Sequence, residues 1–315
     1  MLKYLKLIRY KNLLVIILTQ YLVRFCVLKP IYKTVGCSLQ INEFCFFLLV
    51  FSVVLIAAAG YIINDYFDIK IDKINKPEKV VLDTSIQRRN AILFHSVFNF
   101  IAILISFIIS YKIGAIKLGF IFLFVSILLW FYSLKYKRLL FTGNFIVAVL
   151  SAFVVYIVWL FEFFALRNNP SVFLELSGKY NMINIIVLSY TCFAFLISFI
   201  REVIKDMEDV EGDEIMKCRT IPVVFGIKKS KIITGILILL NVLLIAVATY
   251  YVFKIHYLLL FVYLIIAVIF PYFYLFFTLT KSKEKSDFHL ASNMCKIIML
   301  AGILSMQILS INFPF

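Results

Sequence analysis

The stretch EFCFFLLVFSVVLIAAAGYIINDYFDIKID, residues 43–72, decides how this chain is read. It begins as an apolar run of about 20 residues, the length that crosses a bilayer as a helix. It ends in Asp65, Asp68 and Asp72, spaced D-x-x-D-x-x-x-D. The same spacing returns at Asp206, Asp209 and Asp213, again where a long apolar run stops. Twelve of the seventeen carboxylates fall within residues 65–83 and 202–214. A greasy, basic chain has gathered its negative charge into two matched clusters.

Composition extends the membrane reading to the whole chain. Hydrophobic residues make up 63% of the 315 and charged residues 16%, against roughly half and about a quarter in soluble domains. A soluble globular fold is excluded. Apolar runs long enough to span recur at roughly 12–30, 43–63, 91–111, 114–133, 140–161, 182–200, 231–252, 257–280 and 291–312. The expected fold is all-α and polytopic, with about nine transmembrane helices in a single domain over residues 1–315. The opening KYLKLIRYKN, before the first run, has no small-x-small cleavage pattern and is read as an anchored start.

Lys and Arg set the orientation. They crowd the segments on the N-terminal side, as at Lys70, Lys73, Lys76, Lys79, Arg88 and Arg89, and far outnumber those in the opposite loops. The positive-inside rule then puts the N-terminus and both acidic clusters in the cytoplasm. The expected location is the cell (inner) membrane, with the active site on its cytoplasmic side. The net charge of +15 follows from this bias and suits anionic lipid headgroups. It is no argument for nucleic acid, because the basic residues are spread over many loops. The six Cys form no C-x-x-C pair, and the three His share no metal-site spacing.

The clusters follow the second and the sixth spans. That equal offset suggests an internal duplication, with acidic motifs at 64–72 and 206–213. The two loops that carry them are the long ones, and long loops in a compact bundle are usually functional. Their turn-breakers are Asn75 and Pro77, then Gly212, Pro222 and Gly226.

If each motif continues its span as a helix, its aspartates stand at i, i+3 and i+7 on one face. Asn64 lies one turn before Asp68, and Glu202 one turn before Asp206. Glu208 and Glu211 then point elsewhere, into solvent. Converging carboxylates repel by several kcal/mol unless cations sit between them. Hard oxygen donors without His or Cys suit Mg²⁺, which takes one or two carboxylates and leaves positions for phosphate oxygens. Two opposed clusters would clamp a diphosphate through bridging metals. Lys137, Arg138, Arg9, Arg201 and Lys205 lie at span ends on the same side and could neutralise its charge.

Three segments resemble the UbiA superfamily of intramembrane prenyltransferases. GYIINDYFDIKIDKINKP, at 60–77, is similar to its N-D-x-x-D-x-x-x-D signature. REVIKDMEDVEGDEIMKCRTIPVVFG, at 201–226, resembles its second aspartate motif. FYSLKYKRLLFTGNFIVAVLSA, at 131–152, resembles its Tyr-Ser…Lys-Arg…Gly-Asn segment. The resemblance covers nearly the whole chain. It implies a helical bundle around a central cavity open to lipid, and Mg²⁺-dependent prenyl transfer from a prenyl diphosphate. Carried over by position, Asn64, Asp68 and Asp72 would hold one metal, with Asp65 close by. Asp206 and Asp213 would hold the second, with Asp209 assisting, and Lys137 would contact the diphosphate. The residues expected to carry catalysis are Asp68, Asp213 and Lys137.

Within the family, the DKINKP continuation and the K-D-x-x-D-x-x-G-D second motif look most like enzymes that alkylate geranylgeranylglyceryl phosphate. The chain departs from them at Lys79-Val80-Val81, usually Arg-Pro-Ile, and at Cys218, where Lys is common. An aromatic quinone precursor remains an open acceptor. Two readings from other classes are an ion or phosphate transporter and a non-catalytic lipid-binding relative. A transporter would carry ionisable residues deep within its spans, and only Arg24 and Glu162 approach that.

Overall fold

The computed structural model describes residues 2–75, 77, 81–83 and 86–311. Lys76 and Lys79 of the orientation argument, Val80 of the motif departure, and residue 312 of the last apolar run lie outside them. Among the described residues, nine helices are long and apolar enough to cross a membrane. They are α1 (Tyr10–Lys33), α2 (Glu43–Asn75), α3 (Arg88–Lys112), α4 (Ile116–Leu134) and α5 (Thr142–Leu166). After α6 (Ser177–Glu208) comes a short helix, α7 (Val210–Ile215). The bundle is completed by α8 (Ile221–Lys254), α9 (Leu258–Lys281) and α10 (Lys285–Ile311).

Each expected apolar run falls on one of these helices, but several helices outrun it. α2 continues past residue 63 to Asn75 and carries the whole first motif. α6 continues past residue 200 to Glu208. α8 begins at Ile221, with Pro222 in its first turn, where a missing N–H costs nothing. It bends at Gly226, whose φ of 76° and ψ of 159° lie outside the helical region and favour glycine.

Two π-helical turns interrupt the bundle, Val23–Leu28 in α1 and Leu264–Ile269 in α9. Pro30 and Pro271 follow them by two residues. Proline has no N–H for the i→i−4 ladder and crowds the preceding turn. Widening that turn accommodates the ring without breaking the helix.

In hydrocarbon, apolar helix faces gain little by meeting one another, so close approach and interhelical hydrogen bonds matter more. Ala58 and Ala59 on α2 are buried, and a Cβ on Gly60 would come within 3.0 Å of Leu129 on α4. His95 of α3 reaches the Ala59 carbonyl at 3.0 Å. Elsewhere Trp159 donates to Asn184 (2.8 Å), Asn241 to Tyr272 (2.6 Å), and Tyr190 pairs with Ser305 (2.8 Å). Such bonds contribute about 0.6 kcal/mol each on average.

Arg24 and Glu162 are both buried, and they meet at the end of the bundle opposite the aspartate motifs. Arg24 lies 3.7 Å from Glu162 and 3.2 Å from Glu43, and donates to the Ile41 carbonyl at 2.5 Å. Its guanidinium stacks 4.4 Å from the Phe46 ring centre. Glu162 accepts from the backbone N–H groups of Gln40 and Ile41. This closed polar knot pins the 36–42 connection to α5. Arg24 lies nine residues before the end of α1 and Glu162 four before the end of α5.

Candidate active site

The first motif forms one wall along the end of α2. Asn64 donates to Asp68 at 2.9 Å across one helical turn. Lys137 Nζ lies 2.5 Å from Asp68 Oδ1 and 3.5 Å from Asn64 Oδ1. Arg9 Nη2 lies 2.7 Å from Asp65 Oδ1, with its guanidinium 5.1 Å from the Tyr61 ring centre. Burial opposes the charge on Arg9, but Asp65, Tyr61 and Asp72 outweigh it and hold the guanidinium protonated.

Lys137 comes from a single 3₁₀ turn, Tyr136–Arg138, between α4 and α5. The turn folds back against the start of α5, where a Cβ on Gly143 would come within 2.8 Å of the Lys137 Cα. Glycine at 143 is therefore what allows the lysine to approach the first wall.

The second motif forms the other wall, in two pieces. α6 carries Glu202 and Asp206 and stops at Glu208. Asp209 adopts φ −103° and ψ 10°, and α7 then carries Asp213. The expected continuous helix through Asp206, Asp209 and Asp213 is thus corrected. The break at Asp209 means that these three do not repeat the i, i+3, i+7 stack of the first motif. Asp206 accepts from Asn144 Nδ2 at 2.7 Å, and Asp213, 8% exposed, accepts from Thr220 at 3.1 Å.

Arg201 and Lys205 both close on Glu202, at 2.8 and 3.0 Å. They are tied to their own helix rather than to the first wall. Arg138 contributes its carbonyl, which accepts the Arg219 N–H at 2.9 Å and joins the Lys137 turn to the segment after α7. The neighbouring Cys218 is buried, and burial, with Asp213 adding to it, pushes its thiol up to about 11. It remains a neutral thiol at neutral pH.

Glu208 corrects a second expectation. It is not solvated but 7% exposed, 3.0 Å from His289 on α10, and its partner lies 81 positions away in the chain. Glu211 is exposed as expected. Asn144 is a site residue that the motif reading quoted without assigning. The phenol of Tyr132 lies within electrostatic range of Glu202, Asp68 and Asp206. Both belong to the Tyr-Ser…Lys-Arg…Gly-Asn segment at 131–152, but that segment does not name their partners, which the fold supplies.

Among the described residues, no three Asp, Glu, His or Cys side chains are gathered closely enough to hold an ion alone. The donors present are carboxylate and amide oxygens spread over two walls. That set fits Mg²⁺, which keeps open positions for water and phosphate oxygens, and does not fit a closed thiolate or imidazole site.

Comparison with known proteins shows the family of the chain. Residues 36–296 match the profile of the UbiA prenyltransferase family. A digeranylgeranylglyceryl phosphate synthase from Methanosphaera stadtmanae is 29% identical over 257 residues, 80% of this chain and 83% of that protein. One from Sulfolobus acidocaldarius is 36% identical over 201 residues, which span 61% of this chain and 63% of the relative. A solved digeranylgeranylglyceryl phosphate synthase structure is 27% identical, with a TM-score of 0.62 and coverage of 97% of this chain and 98% of the other. The fold is also that of an Archaeoglobus fulgidus UbiA homologue bound to DMAPP and Mg²⁺, at 17% identity, a TM-score of 0.52 and coverage of 96% and 99%. With the profile running through both aspartate walls and the Lys137 turn, the chain belongs to the UbiA prenyltransferase family.

Proposed function

We propose that this protein transfers a prenyl group from a prenyl diphosphate to a glyceryl phosphate lipid of the geranylgeranylglyceryl type. The observation that carries the reading is the placement of Lys137 against Asn64 and Asp68, with the Asp206–Asp213 wall joined to the same turn through Arg219 and Arg138. The choice of acceptor rests on the synthases to which the chain is similar.

Asn64, Asp68 and Asp72 would hold one Mg²⁺, with Asp65 close by, and Asp206 and Asp213 the other, with Asp209 assisting. Bound there, Mg²⁺ would neutralise diphosphate oxygens that the carboxylates alone would repel. Lys137 Nζ donates to the diphosphate as the allylic C–O bond breaks and its electron pair leaves with the diphosphate. The acceptor hydroxyl then forms the new C–O bond and releases its proton. Arg9 holds Asp65, and Arg201 and Lys205 hold Glu202, so each carboxylate keeps its position as charge shifts. Asn144 orients Asp206 by donating to one oxygen, which leaves the other free.

In this reading both walls face the cytoplasm, at the inner face of the cell membrane. Residues 1–315 form one domain in which α2 and α6 are counterparts in two related halves. A membrane-impermeant maleimide would then label Glu214→Cys from the cytoplasmic face of inverted vesicles and not from outside cells. The function itself is tested with purified protein, radiolabelled geranylgeranyl diphosphate and geranylgeranylglyceryl phosphate. A Mg²⁺-dependent ether lipid is expected. Product only with 4-hydroxybenzoate-type acceptors would move the assignment to quinone precursors. No product with any acceptor would favour a non-catalytic lipid-binding protein.

A further inference from the structure

The side chain of Asn75 joins the two acidic walls. It is the last residue of α2 and is 8% exposed. Its Oδ1 accepts the Gly212 N–H at 3.0 Å, and its Nδ2 donates to the Asp209 carbonyl at 3.1 Å. Its own carbonyl accepts from Lys285, at the start of α10, at 2.6 Å. Gly212 leaves room for this junction, since a Cβ there would lie 2.5 Å from both polar atoms of the amide.

An amide carries a donor and an acceptor side by side. Here both are used on backbone that brackets the helix break, one on Asp209 and one on Gly212. An aspartate would keep the acceptor and lose the donor, setting two oxygens against each other. A glutamine is one methylene longer and would drive into Gly212. The position therefore selects asparagine on geometric and hydrogen-bonding grounds.

We propose that Asn75 is a positioning residue. By holding the backbone of Asp209 and Gly212 it fixes the register of α7 against α2, and so the placement of Asp209 and Asp213 relative to Asp68 and Asp72. The inference rests on the reading of the two walls as one ion–diphosphate site. Asn75 touches neither substrate nor ion in that reading; it acts through the aspartates on the helix it holds.

Two measurements test it. Nitroxides at Lys70→Cys and Glu214→Cys, both exposed positions, placed in a Cys192→Ser background, report the α2–α7 distance. One narrow distribution is expected with Asn75 present and a broad or displaced one in Asn75→Ala. An unchanged distribution would overturn the proposal. The second measurement is Mn²⁺ binding in the presence of inorganic diphosphate, followed by electron paramagnetic resonance. Asn75→Ala should weaken it about tenfold or more, the scale of a misplacement near 1 Å. The double variant Asn75→Ala/Gly212→Ala refills the space but not the hydrogen bonds. Recovery of tight Mn²⁺ binding in it would show that only packing matters and would overturn the proposal. If the unaltered protein gives the narrow distance but binds no Mn²⁺, the metal reading fails while the register result stands.

Discussion

The two aspartate motifs share a spacing but not a structure. The first runs along one unbroken helix, α2, and its cations arrive from elsewhere: Arg9 from the segment before α1, Lys137 from the turn before α5. The second is split at Asp209. Arg201 and Lys205 pair with Glu202 on their own helix, while Asn144 of α5 and Thr220 bond to Asp206 and Asp213. The difference suggests a division of labour. In the first wall Asp65 and Asp68 have counter-charges that belong to other elements and can be exchanged for a ligand. The second is set in place by neutral hydrogen bonds and a helix break before any ligand arrives.

The largest effects should come from the aspartates themselves. Asp68→Ala and Asp213→Ala should each lower Mg²⁺-dependent product formation by about 10³-fold, the scale of losing one preorganised electrostatic contact. A hundredfold difference between them, measured as kcat/KM in detergent, would mean that the walls are not equivalent in catalysis.

Gly143→Ala comes next. The added Cβ must displace the Lys137 turn, and a shift of that kind costs about 10- to 100-fold in rate. The side chain of Lys137 pairs with Asp68 and Asn64 of the first wall. Rate loss without a fall in Tm is the expected signature.

Asn144→Ala tests the second wall. Removing the donor leaves one Asp206 oxygen without its partner, a cost of about 1–3 kcal/mol. Here Tm should fall together with activity, in contrast to Gly143→Ala. His289→Ala, which removes one partner of buried Glu208, should cost about 1 kcal/mol of stability with little change in KM.

The smallest effect is the exposed Asp83–Arg88 pair, which closes the connection after the first motif. Hydrogen bonding to Arg88 holds the Asp83 carboxyl below its usual 3.8. A depressed carboxylate stabilises the fold above its unfolded value and loses that contribution as pH falls through the folded value. Asp83→Asn should therefore match the unaltered protein at pH 2 and show a slightly lower Tm at pH 7.

Much of this was legible in the sequence. Among the described residues every apolar run lies on a helix, and Lys137 and Asn64 both reach Asp68. Three things were not legible, each for a physical reason. The break at Asp209 has only Gly212 as a local signal, and the helical bond from Asp213 N–H to the Asp209 carbonyl (3.2 Å) survives it. The amide that bonds to both sides of it belongs to Asn75, 137 positions away from Gly212. Glu208 reads as one more charge in an acidic run until His289 arrives from the last helix. Asn144 belongs to the Gly-Asn pair of the 131–152 segment, but its partner Asp206 lies 62 positions away and is set by the fold.

The account turns on both walls holding one diphosphate. The most direct test is calorimetric titration of inorganic diphosphate into the purified protein, with and without Mg²⁺, for the unaltered chain, Asp68→Ala and Asp206→Ala. Binding should require Mg²⁺ and should weaken by about 100-fold or more in either variant, as expected for charge-paired contacts of several kcal/mol. Undiminished Mg²⁺-dependent binding in either variant would contradict a site shared by the two walls.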